Sequence, residues 1–164
     1  MPPRQKPGKS KQDYRTPGVL LSAIAHRFGP IGFDLASSEE NRVAPRGWTK
    51  ADNALDQDWR KLRLRRGDVA FCNPEFADIE PWAECCADVR LLQRWTLLLA
   101  PLGTQDWAVK HMWRKSYVLK LRGRVAFVGE EQGYPKDLVV AAYGFGVSGE
   151  EVWDWRKQVT GAAK

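Results

Sequence analysis

The sequence predicts an α/β protein built on a mostly parallel sheet with an antiparallel element at one edge. Three observations predict it. Apolar runs of strand length occur at Ile31–Leu35, Val69–Cys72, Thr96–Ala100 and Leu138–Tyr143. Segments with apolar residues at helical spacing stand between several of them. Late in the chain, Tyr117–Leu121 and Val125–Val128 flank Arg122-Gly123, a pattern that reads as a hairpin. Strands that alternate with helices favour a parallel sheet, because parallel neighbours need a crossover connection.

The elements follow in order. Thr16-Pro17 reads as a helix start, with Thr16 as N-cap and Pro17 at the first helical position. Val19, Leu20, Ala23, Ile24 and Phe28 continue it, and Gly29-Pro30 stops it. Ile31–Leu35 is a buried strand carrying one acid, Asp34. Residues 36–47 read as loop, and 49–62 as weakly helical and mostly irregular. Val69–Cys72 is a strand that opens into Asn73-Pro74-Glu75-Phe76. Trp82, Cys85, Cys86 and Val89 then mark one helix face, with Pro81 tolerated in its first turn. Thr96–Ala100 is a strand, Thr104 caps a short helix bearing Trp107, Ala108 and Met112, and Leu138–Tyr143 is the last strand.

Composition narrows the function classes. The 164 residues are one domain's worth. With 43% apolar and 28% charged residues, a disordered or collagen-like chain is excluded. No apolar run reaches the roughly 18 residues of a membrane span, and no apolar segment follows the basic N-terminus as a secretory signal requires. Cys72, Cys85 and Cys86 cannot all pair, so free thiols in a reducing cytoplasm are expected. The net charge is +6. Residues 1–12 hold Arg4, Lys6, Lys9 and Lys11 and no acid, which leaves only +2 on the rest. The expected organisation is a basic flexible tail, 1–12, on a single domain, 13–164. Such an arm suits a polyanion, although a solvated tail has the same composition. Eight tryptophans suit a core, and their excess makes base stacking worth testing.

Little in the chain supports metal or covalent chemistry. His26 and His111 lack ligand spacing with the cysteines, and Ser37 and Ser38 lack a nucleophile-elbow setting. Asn73-Pro74-Glu75-Phe76 does carry a mechanism. Ligands of open α/β sheets bind beyond the carboxyl ends of strands. An asparagine there offers a side-chain oxygen, and the proline a carbonyl in a fixed direction. Two such acceptors can take both hydrogens of an exocyclic amine and make its nitrogen nucleophilic. An aromatic ring two residues on can stack on a flipped base. Asn-Pro is also a common turn opener, so the tetrapeptide alone leaves both readings open.

The wider pattern resembles the phage adenine-N6 DNA methyltransferases of the Dam type. It runs through Tyr14-Arg15-Thr16-Pro17, then Phe33-Asp34-Leu35-Ala36-Ser37 with Asn41, and Trp48-Thr49. Asp52-Asn53-Ala54-Leu55 and Asp58-Trp59 follow, and then the tetrapeptide with Ile79 and Pro81-Trp82. Leu98-Leu99-Ala100-Pro101, Trp107 and Gly123-Arg124-Val125-Ala126-Phe127 complete it before the strand from Leu138. The resemblance implies a Rossmann-like methyltransferase using S-adenosylmethionine, with DNA as partner and the cytoplasm of a bacterial host as location. It implies catalytic roles for Asn73, Pro74 and Phe76, and Glu75, at the third position of the same tetrapeptide, is a candidate beside them. It implies cofactor contacts for Tyr14, Thr16, Pro17, Asp34 and Asp52.

Glu75 departs from the family's second proline. A module that binds DNA without turnover, or an enzyme for another amine, therefore stands beside the adenine methyltransferase. Lys110, Arg114, Lys115, Arg122, Arg124 and Lys136 are candidate phosphate contacts, and a solvated basic face has the same residues.

Overall fold

The computed structural model describes residues 15–130 and 132–159. The basic tail 1–12 and Tyr14 lie outside the described residues. A seven-stranded sheet organises the rest. Its strands are β1 (Ile31–Asp34), β2 (Arg46–Gly47), β3 (Val69–Cys72), β4 (Thr96–Pro101), β5 (Tyr117–Leu121), β6 (Leu138–Tyr143) and β7 (Gly149–Trp153). The order across the sheet is β2-β1-β3-β4-β6-β5-β7. β1 pairs in parallel with β2 and β3, β3 with β4, and β5 with β7; only β6 runs antiparallel to its neighbours β4 and β5. The sheet is thus mixed and mostly parallel.

Side chains alternate across each strand and feed two cores. Val69, Phe71, Leu97 and Leu99 join Leu20, Ala23 and Ile24 of α1 (Gly18–Phe28), together with Trp153 and Trp155. Ala70, Cys72, Leu98 and Ala100 join Ala83, Cys86 and Ala87 of α2 (Glu80–Asp88), and Ala108 of α3 (Asp106–His111). A last helix, α4 (Trp155–Val159), lies on the α1 face. The result is a helix–sheet–helix sandwich. All eight tryptophans are buried or half-buried, as core packing requires. Among the described residues, no helix is long and apolar enough to cross a membrane.

The start and stop of α1 show why the chain enters β1 as it does. Gly29 has φ 120° and its missing side chain leaves room for the Gly67 carbonyl, which would lie 2.2 Å from a Cβ. Only glycine fits there.

Four expectations fail. The N-cap of α1 is Pro17, without a side-chain bond, because the Thr16 hydroxyl is engaged elsewhere. Likewise Thr104 does not cap α3, whose N-cap is Gln105. The expected edge hairpin is absent: β5 pairs with β6 and β7, and residues 125–128 form no strand. Val125 and Phe127 are instead buried in the α1-side core, and Val128 donates its N–H to the Arg15 carbonyl at 3.1 Å. Finally, residues 36–47 are not wholly loop, since Arg46–Gly47 adds a short strand beside β1. The antiparallel element is the inserted β6, and the true edge strand β7 is too polar to stand out as one.

Candidate active site at the carboxyl end of the sheet

From β1 the chain crosses to β2 on one side and later to β3 on the other. That reversal opens a crevice beyond the carboxyl ends of β1 and β3, the usual ligand position in such sheets. Asp34 ends β1 and Asn73 follows β3, so register alone makes them neighbours. Arg15, Thr16, Asp34, Asn41 and Asn73 line the crevice together. Arg15 Nε donates to Asn41 Oδ1 at its rim.

Asp34 is 3% exposed. Its oxygens accept the Ala36 N–H at 3.2 Å and the Val43 N–H at 3.1 Å. Burial still pushes its acid up to about 6, against the lowering pull of those two bonds and of Arg42. A carboxylate kept in so poor a solvent suits a cationic partner.

Asn73 Nδ2 donates to the Thr16 hydroxyl at 3.0 Å. This contact joins residues 57 positions apart and sets the amide's orientation. Pro74 is buried behind it. Glu75 has φ −64° and ψ 122°. That φ is the one a proline ring imposes, so the departure from the family pattern keeps the backbone path. Phe76 is half-buried, with ring centroids 5.5 Å from Tyr134 and 6.5 Å from Phe127, both edge-on.

A second cleft opens beside the crevice, sharing Ala36. Trp48 and Trp82 wall it, and Lys50 and Asn53 stand at it. Asp52 does not line it: its carboxylate takes the Thr49 N–H at 2.8 Å and the Thr49 hydroxyl at 3.2 Å, capping a 3-10 turn.

The structure divides the basic residues. Arg122, Arg124 and Lys136 lie at the same end of the sheet as the tetrapeptide, because β5 ends where β6 begins. Arg122 pairs with Asp154 at 3.0 Å, and Arg124 with Asp137 at 3.8 Å. Arg114 and Lys115 precede β5, at the opposite end of the sheet, and Lys110 sits in the last turn of α3 leading there. A five-residue strand separates the two ends by about 17 Å.

The cysteines are packing groups. Cys72 and Cys86 are fully buried, and burial pushes the Cys85 thiol up to about 12. Among the described residues, no cluster of His, Cys, Asp or Glu could hold a metal ion.

Sequence reasoning missed the roles of Phe127 and Tyr134, and of Lys50 and Asn53 at the second cleft. Tyr134 had a signal, as a large ring among polar residues, and Phe127 had one as the ring of an apolar run. Their meeting with Phe76 depends on tertiary structure.

Comparisons with known proteins identify the family. The family model described as DNA N-6-adenine-methyltransferase (Dam) matches residues 4–141. A curated relative from Escherichia coli (strain K12), named "Putative methyltransferase YfdM", is 31% identical over 83 residues, covering 48% of this chain and 87% of the relative. The polar crevice at the strand ends, with its asparagine and buried acid, therefore sits in a chain that belongs to the DNA N-6-adenine-methyltransferase (Dam) family.

Proposed function

We propose that the chain transfers a methyl group from S-adenosylmethionine to the exocyclic amine of adenine in DNA. One observation carries this reading: Asn73 and Asp34 share a crevice at the switch point of the sheet. In the same reading the sheet is of the Rossmann-like methyltransferase type, with β6 as its antiparallel insertion.

The residues present fit the cofactor by the chemistry of the donor set. Asp34 is a desolvated acid that would meet a cationic or hydroxyl-bearing group. Thr16 and Pro17 stand at the head of α1 on the same side. The cleft between Trp48 and Trp82 offers apolar walls for a nucleoside, with Lys50 and Asn53 as its polar contacts. Asp52 serves this site indirectly, by capping the turn that presents those two residues. Tyr14 belongs to the same proposed group.

When bound, the cofactor supplies an electrophilic methyl group on a sulfonium. Asn73 Oδ1 and the Pro74 carbonyl accept the two amine hydrogens, drawing the nitrogen lone pair out of ring conjugation. Phe76 offers a ring to the flipped base. Glu75 contributes its backbone, which holds the acceptors and the ring at their spacing. No group of the chain need form a covalent bond, so rate comes from position and preset dipoles. Arg122, Arg124 and Lys136 would take phosphates beside the flipped base. Lys110, Arg114 and Lys115 face another region and enter only if the DNA extends past this end.

The test is transfer of a tritiated methyl group to duplex and single-stranded DNA, followed by nucleoside analysis. Label in N6-methyl-2′-deoxyadenosine is expected. Label in another nucleoside, or none from a protein that binds the cofactor by calorimetry, overturns the acceptor. No cofactor binding overturns the reading as a whole.

A further inference from the structure

Residues beyond the family match reach back to the catalytic tetrapeptide. Trp155 opens α4 and is 3% exposed. Its Nε1–H donates to the Arg122 carbonyl at 3.1 Å. The Arg156 guanidinium lies over the Trp155 ring, 4.2 Å from its centroid. From there Nη1 donates to the Arg122 carbonyl at 2.8 Å and Nη2 to the Arg124 carbonyl at 2.7 Å. Gly123 between them has φ 81°, and a Cβ there would stand 2.7 Å from Arg156 Nη1. The Arg122 N–H still reaches the Trp153 carbonyl of β7, and the guanidinium takes the carbonyls of Arg122 and Arg124.

The clamped segment leads toward Phe76. It continues into Val125, whose carbonyl takes the Tyr134 N–H at 2.7 Å, and into Phe127. Phe127 and Tyr134 meet edge-on at 5.8 Å, and both meet Phe76. Val128 bonds to Arg15, the neighbour of the threonine that receives Asn73. One loop therefore touches Phe76 directly and is linked to Asn73 through Arg15 and Thr16. The same C-terminal region is fixed to α1 by Arg27, which reaches Glu151 of β7 at 2.6 Å.

We propose that Arg156, stacked on Trp155, is a positioning residue for the acceptor side of the site. It holds residues 122–124 so that Phe127 and Tyr134 set the plane of Phe76. The inference rests on the proposed methyl transfer for its kinetic consequence, and on the hydrogen bonds alone for its structural one.

The test compares wild type with Arg156→Ala, Arg156→Lys and Gly123→Ala by amide hydrogen exchange and by methyl-transfer kinetics. In Arg156→Ala, the Val128 and Tyr134 amides should exchange about tenfold faster, as loss of charge-assisted bonds implies. The β4 and β6 amides should keep their rates. Turnover on DNA should fall about tenfold while cofactor affinity stays within about twofold. Arg156→Lys should recover part of both effects, since an ammonium reaches one carbonyl and not two. Gly123→Ala should reproduce them by displacing the guanidinium. Unchanged exchange at Val128 and Tyr134 overturns the clamp, as does loss spread evenly over β4 and β6. If wild type transfers no methyl group, the proposed function fails, and the exchange data still decide the clamp.

Discussion

The two ends of the sheet are built by different physics. At the amino end of β4, apolar contacts predominate, and the buried Thr96 and Ser116 stand beside a half-buried cation, Arg94, whose Nε has no partner among the described residues. Tyr143, fully buried, donates its hydroxyl to the His111 carbonyl at 2.7 Å. Trp95 packs edge-on against Phe28 and Phe145. The carboxyl end of β1 and β3 buries Thr16, Asp34 and Ser37, and the acid among them lines a crevice. Asp34 there remains a strained acid despite two backbone bonds. The amino end is mostly packing. The other accepts a cost in stability, which is the usual mark of a site meant to meet something else.

The largest break in that comparison should come from Asn73→Ala. Transfer should fall on the order of a hundredfold or more, as when a preset polar contact is lost. The fold should lose only about 1 kcal/mol, for the Thr16 hydroxyl left without its amide. Single-turnover rates beside a thermal melt would check both. Near wild-type turnover would remove the tetrapeptide from the chemistry.

Asp34→Asn comes next, and pH is its readout. The folded acid titrates at about 6, against an ordinary 3.8. Between those values the folded state keeps a proton that the unfolded chain has lost. Stability should therefore fall as pH rises from about 4 to 6, by on the order of 3 kcal/mol in total. Asp34→Asn should flatten that slope in urea titrations. Cofactor affinity of the wild type should rise through about pH 6 as the carboxylate ionises. In the variant it should be about tenfold or more weaker and flat with pH, consistent with loss of a charge-assisted contact. Calorimetry at several pH values decides, and equal affinities would remove Asp34 from the site.

Tyr143→Phe is the control at the opposite end. It should cost about 1 kcal/mol, because the His111 carbonyl loses its donor. Turnover and cofactor affinity should stay at wild-type values. A large kinetic defect without unfolding would erase the distinction between the ends.

The smallest effect belongs to Glu75→Pro. The backbone already has φ −64° at this position. Proline should fit and add about 0.4–1 kcal/mol through the unfolded state. Activity should stay within about tenfold, as an intact backbone path implies. Abolished transfer in both Glu75→Pro and Glu75→Gln would give the carboxylate a role of its own. Transfer by Glu75→Pro alone would make the natural chain a binding module.

The sequence by itself determined the elements whose burial is continuous. β1, β3, β4 and β6 are short apolar runs with clear ends, and α1 shows its spacing before Gly29-Pro30. The tetrapeptide and Asp34 were legible for the same reason, as polar residues closing apolar strands. Tertiary structure decided the rest. Val125–Val128 alternates like a strand, yet no neighbour offers it a ladder, so its buried residues pack on Phe76 and its amides go to loops. Gly149–Trp153 is polar enough to pass for loop, yet β5 lends it a full parallel register. Thr16 was placed to cap its own helix and instead holds Asn73. Periodicity records which residues leave water, because burial acts on each side chain separately. Which partner a hydroxyl, an amide or an exposed strand edge takes depends on groups distant in the chain, and only the assembled sheet brings those groups within reach.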